Sequence, residues 1–186
     1  RIHGLTRNKS ELDGIVEERF RTEGDGIVTW HSFSYGAHYD ADNIAFGPLI
    51  AINTESLEPG KGYDEHHHAD VEIVTWVLEG SLLHADSTGH RGVVAPGTAQ
   101  RLSAGTGVQH TEQNASHDEP VVFVQMMLRS SYDAEPEYVD AQVAPHGLTP
   151  VIDVHAPAEL FLVRLGPGET VAVEPAAKSL VHVTKG

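Results

Sequence analysis

The stretch from His66 to Gly80 reads HHHADVEIVTWVLEG and joins three consecutive histidines to a run rich in β-branched and aromatic residues. Residues 71–78 (VEIVTWVL) have the composition of a β-strand. Seven further short runs of this kind, separated by Gly, Pro, Asp and Asn, lie at 27–33, 49–53, 81–85, 92–95, 100–103, 108–113 and 121–128. Many short strands at close spacing predict an all-β sandwich or barrel.

Two local signals complete the secondary-structure prediction. Residues 86–89 (DSTG) lie between two predicted strands and are typical of a hairpin turn. The best helix candidate is 10–20, with Ser10 as its N-cap and Glu11 in the first turn, although Gly14 interrupts it.

The composition excludes several classes of protein. The 186 residues include 27 acidic and 12 basic side chains, for a net charge of −15, which argues against direct nucleic-acid binding and against a polybasic membrane surface. The absence of cysteine excludes disulfides, zinc–thiolate sites and a cysteine nucleophile. No apolar run approaches the roughly 20 residues of a membrane span, and no signal peptide is visible. We therefore expect a cytoplasmic protein.

The second half of the chain predicts a second folding unit. A Pro59-Gly60 turn precedes a predicted strand that ends in Glu79-Gly80. Pro167-Gly168 likewise precedes a predicted strand at 180–186 (LVHVTKG). A repeat on this scale indicates two similar units; the alternative is chance recurrence of a turn before a strand. Because the second copy stops at Gly186, we expect either that a C-terminal piece is missing or that the second unit leans on the first.

The predicted domain organisation has three parts. Residues 1–129 form the N-terminal unit, and residues 147–186 form a partial C-terminal unit. Between them, residues 130–142 (SSYDAEPEYVDAQ) are polar and acidic with little periodicity, which predicts a linker extending to residue 146.

Two short pairs of residues predict a metal site. His66 and His68 are two positions apart, so in an extended strand both imidazoles lie on one face and His67 lies on the other. His110 and Glu112 have the same spacing. Each pair alone recurs on protein surfaces by chance. If the two strands face each other inside a barrel, they supply three imidazoles and one carboxylate, a set that suits Fe(II), Mn, Co, Ni or Cu.

The surrounding motifs resemble those of cupins, which are small β-barrels with an internal metal. Gly60, five residues, His66 to His68 and then Gly80 resemble the first cupin motif, and Gly107, His110 and Asn114 resemble part of the second. The usual cupin glutamate position is held by Ile73, and Glu72 comes one residue early. A slip of one residue turns a side chain to the other face, so Glu72 is not expected to be a ligand.

The whole stretch from His66 to Glu112 resembles the pirin family, through E-x-V-T-W-V-L-E-G, D-S-x-G-x-R-G-V, A-G-T-G and the closing H-T-E. The resemblance implies a bicupin: a jelly-roll N-terminal barrel that binds one divalent metal, and a second, incomplete cupin unit without ligands. Carried onto this chain, the ligands are His66, His68, His110 and Glu112. Fe(II) is the first expectation for the metal, with Mn, Co, Ni, Cu and Zn as alternatives.

The resemblance also implies two alternative functions. Some bacterial pirins are similar to quercetin 2,3-dioxygenases, which open a flavonol ring with O₂ and release carbon monoxide; Glu112 would then accept the flavonol proton. The alternative is a non-enzymatic redox-sensing regulator that acts on a protein partner. A metal-free relative is disfavoured because all four ligand positions are filled. The histidines outside this set, namely His84, His90 and His117, are expected in exposed loops or at strand ends.

Overall fold

Every regular element of this protein is a β-strand in the computed structural model, which describes residues 19–174, 176 and 178–184. There are thirteen strands: β1 (Phe20–Gly24), β2 (Ile27–His31), β3 (Leu49–Leu57), β4 (Gly62–His68), β5 (Val71–Glu79), β6 (Leu82–Asp86), β7 (Arg91–Val94), β8 (Thr98–Ser103), β9 (Val108–Asn114), β10 (Val121–Arg129), β11 (Glu137–Gln142), β12 (Gly147–Pro150) and β13 (Phe161–Arg164). The all-β class is confirmed, and all eight predicted strands have an observed counterpart. No helix within the described ranges has the length and hydropathy to cross a bilayer.

The strands form two main sheets and a hairpin. The larger sheet has seven strands in the order β1-β2-β3-β10-β5-β8-β11, and the smaller has four in the order β4-β9-β6-β7. Strands β12 and β13 pair separately. All these neighbours are antiparallel. In the smaller sheet, β9 therefore lies between β4 and β6.

The two main sheets pack face to face through apolar side chains. Val77 and Phe123 of the larger sheet form one buried cluster with Leu82 and Val94 of the smaller sheet. A second cluster joins Ile73 and Leu102 of the larger sheet to Val108 of β9. These clusters enclose a more polar zone between them. Across the larger sheet, a row of paired residues in this zone runs through Gln100, Thr75, Gln125, Asn53 and His31.

The C-terminal segment packs against the larger sheet. Ile52, Val74 and Val124 lie in a third buried cluster, against which Ile152 and Leu160 pack. Arg101 adds a polar contact, because its guanidinium donates to the carbonyl of Asp153 at 2.8 Å and pairs with Glu137.

The predicted linker contains a strand, which corrects the sequence interpretation. Residues 137–142 form β11, which pairs along its whole length with β8 at the edge of the larger sheet. Backbone pairing at a sheet edge does not need an apolar run, and the partly buried Tyr138 alone anchors β11 to the core. The division of the chain into two units stays a prediction.

Two further expectations concern the ends of the chain. The predicted helix at 10–20 lies outside the described residues except for its last two, and Phe20 begins β1. The run 180–186 was expected to be a strand closing the second repeat. Its described part, residues 180–184, forms no strand.

Candidate metal centre

Strands β4 and β9 bring the predicted histidines together. His66 pairs with His110 in the register of the two strands, and His68 pairs with Val108. Side chains alternate in burial along both strands: His66 and His68 are partly buried, His67 is exposed, and His110 is buried. The structure therefore places His66, His68 and His110 on one inner face, with His67 on the other, as the spacing predicts.

A β-bulge in β4 shapes this face. Tyr63 pairs with Glu112, and the register shifts before His66, so that Asp64 and Glu65 together oppose a single residue of β9. In a regular strand, Tyr63 and His66 would lie on opposite faces, since they are three positions apart. The bulge turns both inward, and their rings meet edge to face with centroids 6.2 Å apart. It also supplies the carbonyl of Asp64, which accepts a hydrogen bond from Nδ1 of His66 at 2.8 Å.

The three histidines form a cluster suited to a metal ion. One ring nitrogen from each of His66, His68 and His110 lies within 4.8 Å of the other two. Because Nδ1 of His66 donates to a carbonyl, its Nε2 carries the free lone pair. His110 is 2% exposed, and neither of its ring nitrogens has a hydrogen-bond partner among the described residues. Buried polar atoms seldom lack partners, so His110 fits the role of a metal ligand.

Burial also keeps two of these imidazoles in the neutral form. Desolvation, together with the neighbouring imidazoles, lowers the pKa of His110 to about 3 and that of His68 to about 4. Both rings are therefore neutral at physiological pH, which is the form that coordinates a metal. Nitrogen-rich donor sets of this kind suit Fe, Ni, Cu and Zn.

Glu112 lies on the same face of β9 as His110, but its hydrogen-bond donor lies outside the cluster of three histidines. It is 1% exposed, and the amide nitrogen of Gln125 donates to both of its carboxylate oxygens, at 3.0 and 2.9 Å. Desolvation raises the pKa of Glu112 to about 7. One of its oxygens lies within 4.8 Å of ring nitrogens of His84 and His110, whereas the first cluster consists of the three histidines alone.

The prediction that His84 is an exposed strand-end or loop residue is wrong. His84 lies in the middle of β6, is 0% exposed, and pairs in register with Glu112 on β9. Its Nε2 contacts Oδ2 of Asp86 at 2.8 Å, and desolvation lowers its pKa. The signal was present in the sequence, because Leu82, His84 and Asp86 alternate with the same period of two that identified His66 and His68.

The expectation of an exposed position is met by His117 and only partly by His90. His117 is exposed, as expected. His90 is only partly exposed, because its ring stacks on Tyr138 with centroids 3.5 Å apart.

Two further glutamates are buried within the fold. Glu55 on β3 is 4% exposed and accepts a hydrogen bond from the hydroxyl of Tyr63, and sequence reasoning did not single out either residue. Desolvation raises the pKa of both groups. Glu72 belongs to neither histidine cluster, and its oxygens accept hydrogen bonds from Ser103 and Ser130 at 2.7 Å. That arrangement agrees with the expectation that Glu72 is not a ligand.

Known proteins are similar to this chain in sequence. A Mycobacterium tuberculosis (strain H37Rv) protein that carries the provisional name of a quercetin 2,3-dioxygenase is 44% identical, and the match covers 84% of this chain and 70% of that protein. The Escherichia coli (strain K12) protein named quercetin 2,3-dioxygenase is 39% identical over 113 residues, which cover 61% of this chain and 49% of that protein.

A solved structure agrees with these matches. The crystal structure of the bacterial pirin YhhW from Escherichia coli in complex with nickel(II) superposes with a TM-score of 0.74 at 32% identity, over 78% of this chain and 68% of that one. The sequence profile of the pirin family itself matches residues 15–128, which is more than half of the 186 residues. The chain therefore belongs to the pirin family.

Proposed function

We propose that this protein is a metal-dependent dioxygenase that opens the ring of a flavonol with O₂ and releases carbon monoxide. The observation that carries the proposal is the convergence of His66, His68 and His110. Both ring nitrogens of the buried His110 lack a hydrogen-bond partner within the described part of the chain. The names of its relatives support the choice of reaction, since two of them are named as quercetin 2,3-dioxygenases.

We propose that His66, His68, His110 and Glu112 hold a divalent transition metal, for which Fe(II) is the first expectation. Nickel is a direct alternative, because a bacterial pirin binds it. When bound, the metal supplies Lewis acidity and a route for electrons between the flavonol and O₂.

The residues of the chain supply binding and proton transfer. A flavonol must lose its hydroxyl proton to react, and Glu112 is the candidate to accept it at a carboxylate oxygen. A general base must lie within hydrogen-bond reach of the proton that it accepts, and a carboxylate beside the bound metal meets this requirement. Gln125 donates to both oxygens of Glu112 and to Thr75 Oγ1 at 3.2 Å, so it holds the carboxylate in place.

The test is the O₂-dependent loss of quercetin absorbance by Fe(II)-loaded protein, with metal content measured in the same sample. Turnover that is lost in His110→Ala and kept in His67→Ala is the expected result. His67 is a matched control, since it lies between two proposed ligands and faces the other way. Fully loaded protein that releases no carbon monoxide would overturn the dioxygenase proposal and favour a regulator that acts through a protein partner.

A further inference from the structure

The central strand of the smaller sheet has histidines on both sides. On one side, His66 of β4 pairs in register with His110. On the other side, His84 of β6 pairs in register with Glu112. Donor atoms of His84, His110 and Glu112 all lie within 4.8 Å of one another, and all three side chains are buried. This set shares His110 with the cluster of three histidines.

We propose that His84, His110 and Glu112 form a second position for a divalent metal, which a single ion reaches from the first position while keeping His110 and Glu112 as ligands. The inference deepens the proposed function and rests on it for the presence of a metal in the barrel. Two imidazoles and one carboxylate are the donor set of non-haem Fe(II) sites with open positions. The two positions differ in exposure, because His66 and His68 are partly exposed whereas every member of the second set is buried.

His84 has the hydrogen bonding of a metal ligand. Its Nε2 donates to Oδ2 of Asp86, and the other oxygen of Asp86 accepts from the backbone nitrogen and hydroxyl of Thr88 at 2.9 and 2.5 Å. A carboxylate that accepts from one ring nitrogen orients a histidine and leaves the second nitrogen as the metal donor. That second nitrogen, Nδ1, lies 3.5 Å from the amide of Gln100, which is the long limit of a hydrogen bond.

His110 provides the second observation. Both of its ring nitrogens are buried, and neither has a partner among the residues that the structure describes. The N–H of His84 cannot serve as the missing partner, since its Nε2 already donates to Asp86. The unprotonated ring nitrogen of His110 is therefore free to coordinate an ion through its lone pair. Glu112 is a buried carboxyl group whose hydrogen bonds come from the uncharged amide of Gln125, which supplies no compensating charge. A divalent ion at this position would satisfy both groups.

The experiment removes two ligands of the first position and measures whether the second position still binds a metal ion. We would titrate Co(II), followed by its visible absorption and by calorimetry, into wild type and into His66→Ala/His68→Ala. These two side chains are partly exposed, so their loss costs little folding energy. The double variant is expected to retain one equivalent of Co(II) with a weaker Kd, and adding His84→Gln is expected to abolish that binding. Adding His90→Gln to the double variant is the matched control and is expected to leave the binding unchanged.

The outcomes separate this inference from the proposed function. Wild type that binds no Co(II) overturns both. Wild type that binds Co(II), beside a folded double variant that does not, overturns the second position alone. Binding in the double variant that survives His84→Gln also overturns it. If circular dichroism shows that the alanine variant is unfolded, His66→Gln/His68→Gln takes its place, because glutamine keeps both positions polar.

Discussion

The two sides of β9 hold their histidines in different ways. On the β4 side, His66 and His68 are partly exposed, and His66 is oriented by a backbone carbonyl in a β-bulge. On the β6 side, His84 is fully buried and is oriented by the carboxylate of Asp86. The β4 side is therefore partly open to solvent, whereas the β6 side is buried. His110 and Glu112 on β9 belong to the face that both sides share.

The largest expected effect comes from removing the residue common to both sides. His110→Ala should reduce the metal content of purified protein from about one equivalent to nearly none, since His110 belongs to both donor sets. His67→Ala should bind metal as wild type does, because His67 is exposed on the opposite face of β4. Metal analysis of both variants purified in parallel decides this. Equal loss in the two variants would contradict the assignment of faces.

The next prediction concerns which ligand releases a proton when a metal binds. Because the pKa of Glu112 is about 7, that carboxyl is protonated in the metal-free protein below pH 7 and must lose its proton to bind an ion. His68 and His110, with pKa values of about 4 and 3, bind no proton in this range. Between pH 5 and 7, log Kd for Co(II) should therefore fall with pH, with a slope smaller by about one in Glu112→Gln than in wild type. Equal slopes for the two proteins in calorimetric titrations would show that the released proton comes from a group other than Glu112.

The sequence revealed the β4 side better than the β6 side, for a physical reason. A pair of histidines at a spacing of two stands out against a strand, and both members are ligand types. His84 and Asp86 have the same spacing, but a single histidine followed by an aspartate is common in exposed strand ends. Only the register of β6 against β9 shows that His84 faces Glu112 and is buried.

Irregular features of the strands set a second limit on sequence-based prediction. Tyr63 lies three residues before His66, so a regular strand places it on the outer face, and only the bulge at Asp64 and Glu65 turns it inward. Strand β11 was predicted as linker, because its sequence EYVDAQ is polar and its pairing with β8 uses backbone groups. The strands with β-branched and aromatic runs, such as β5, were predicted closely for the same reason that they form the core.

A third prediction tests the cost of burying the carboxylate of Glu112, which lies on the face that both sides share. The folded-state pKa of Glu112 lies above its ordinary value of 4.5, so metal-free folded protein binds more protons than the unfolded chain between about pH 4.5 and 7. The stability that Glu112 contributes is therefore present at low pH and is lost as the pH rises through 7. Glu112→Gln lacks this titrating group and therefore does not lose this stability. From pH 4 to pH 9, the unfolding free energy of the variant should rise relative to that of wild type by on the order of 3 kcal/mol.

Urea unfolding of the metal-free proteins at several pH values measures this gain. The same experiment with Co(II) present should reverse its sign at high pH, because the wild-type carboxylate then has a cation as partner. A Glu112→Gln curve that runs parallel to the wild-type curve at every pH would show that the carboxyl group does not titrate in this range.

The smallest expected effect concerns another buried carboxyl group, that of Glu55 on β3, which accepts a hydrogen bond from Tyr63 of β4. Tyr63→Phe removes the hydroxyl that donates to Glu55 and leaves that carboxyl only contacts of 3.4 Å with Thr29 and Asn53. An under-satisfied buried acceptor costs about 1–3 kcal/mol, so unfolding free energy should fall by that amount. The loss should grow as the pH rises, because burial raises the pKa of Glu55 above its usual range and protonation at low pH lessens the need for a donor. The stoichiometry and Kd for Co(II) should stay as in wild type, since neither Tyr63 nor Glu55 belongs to a donor set. If Tyr63→Phe instead loses bound metal, Tyr63 contributes to metal binding itself and not only to the packing around the metal centre.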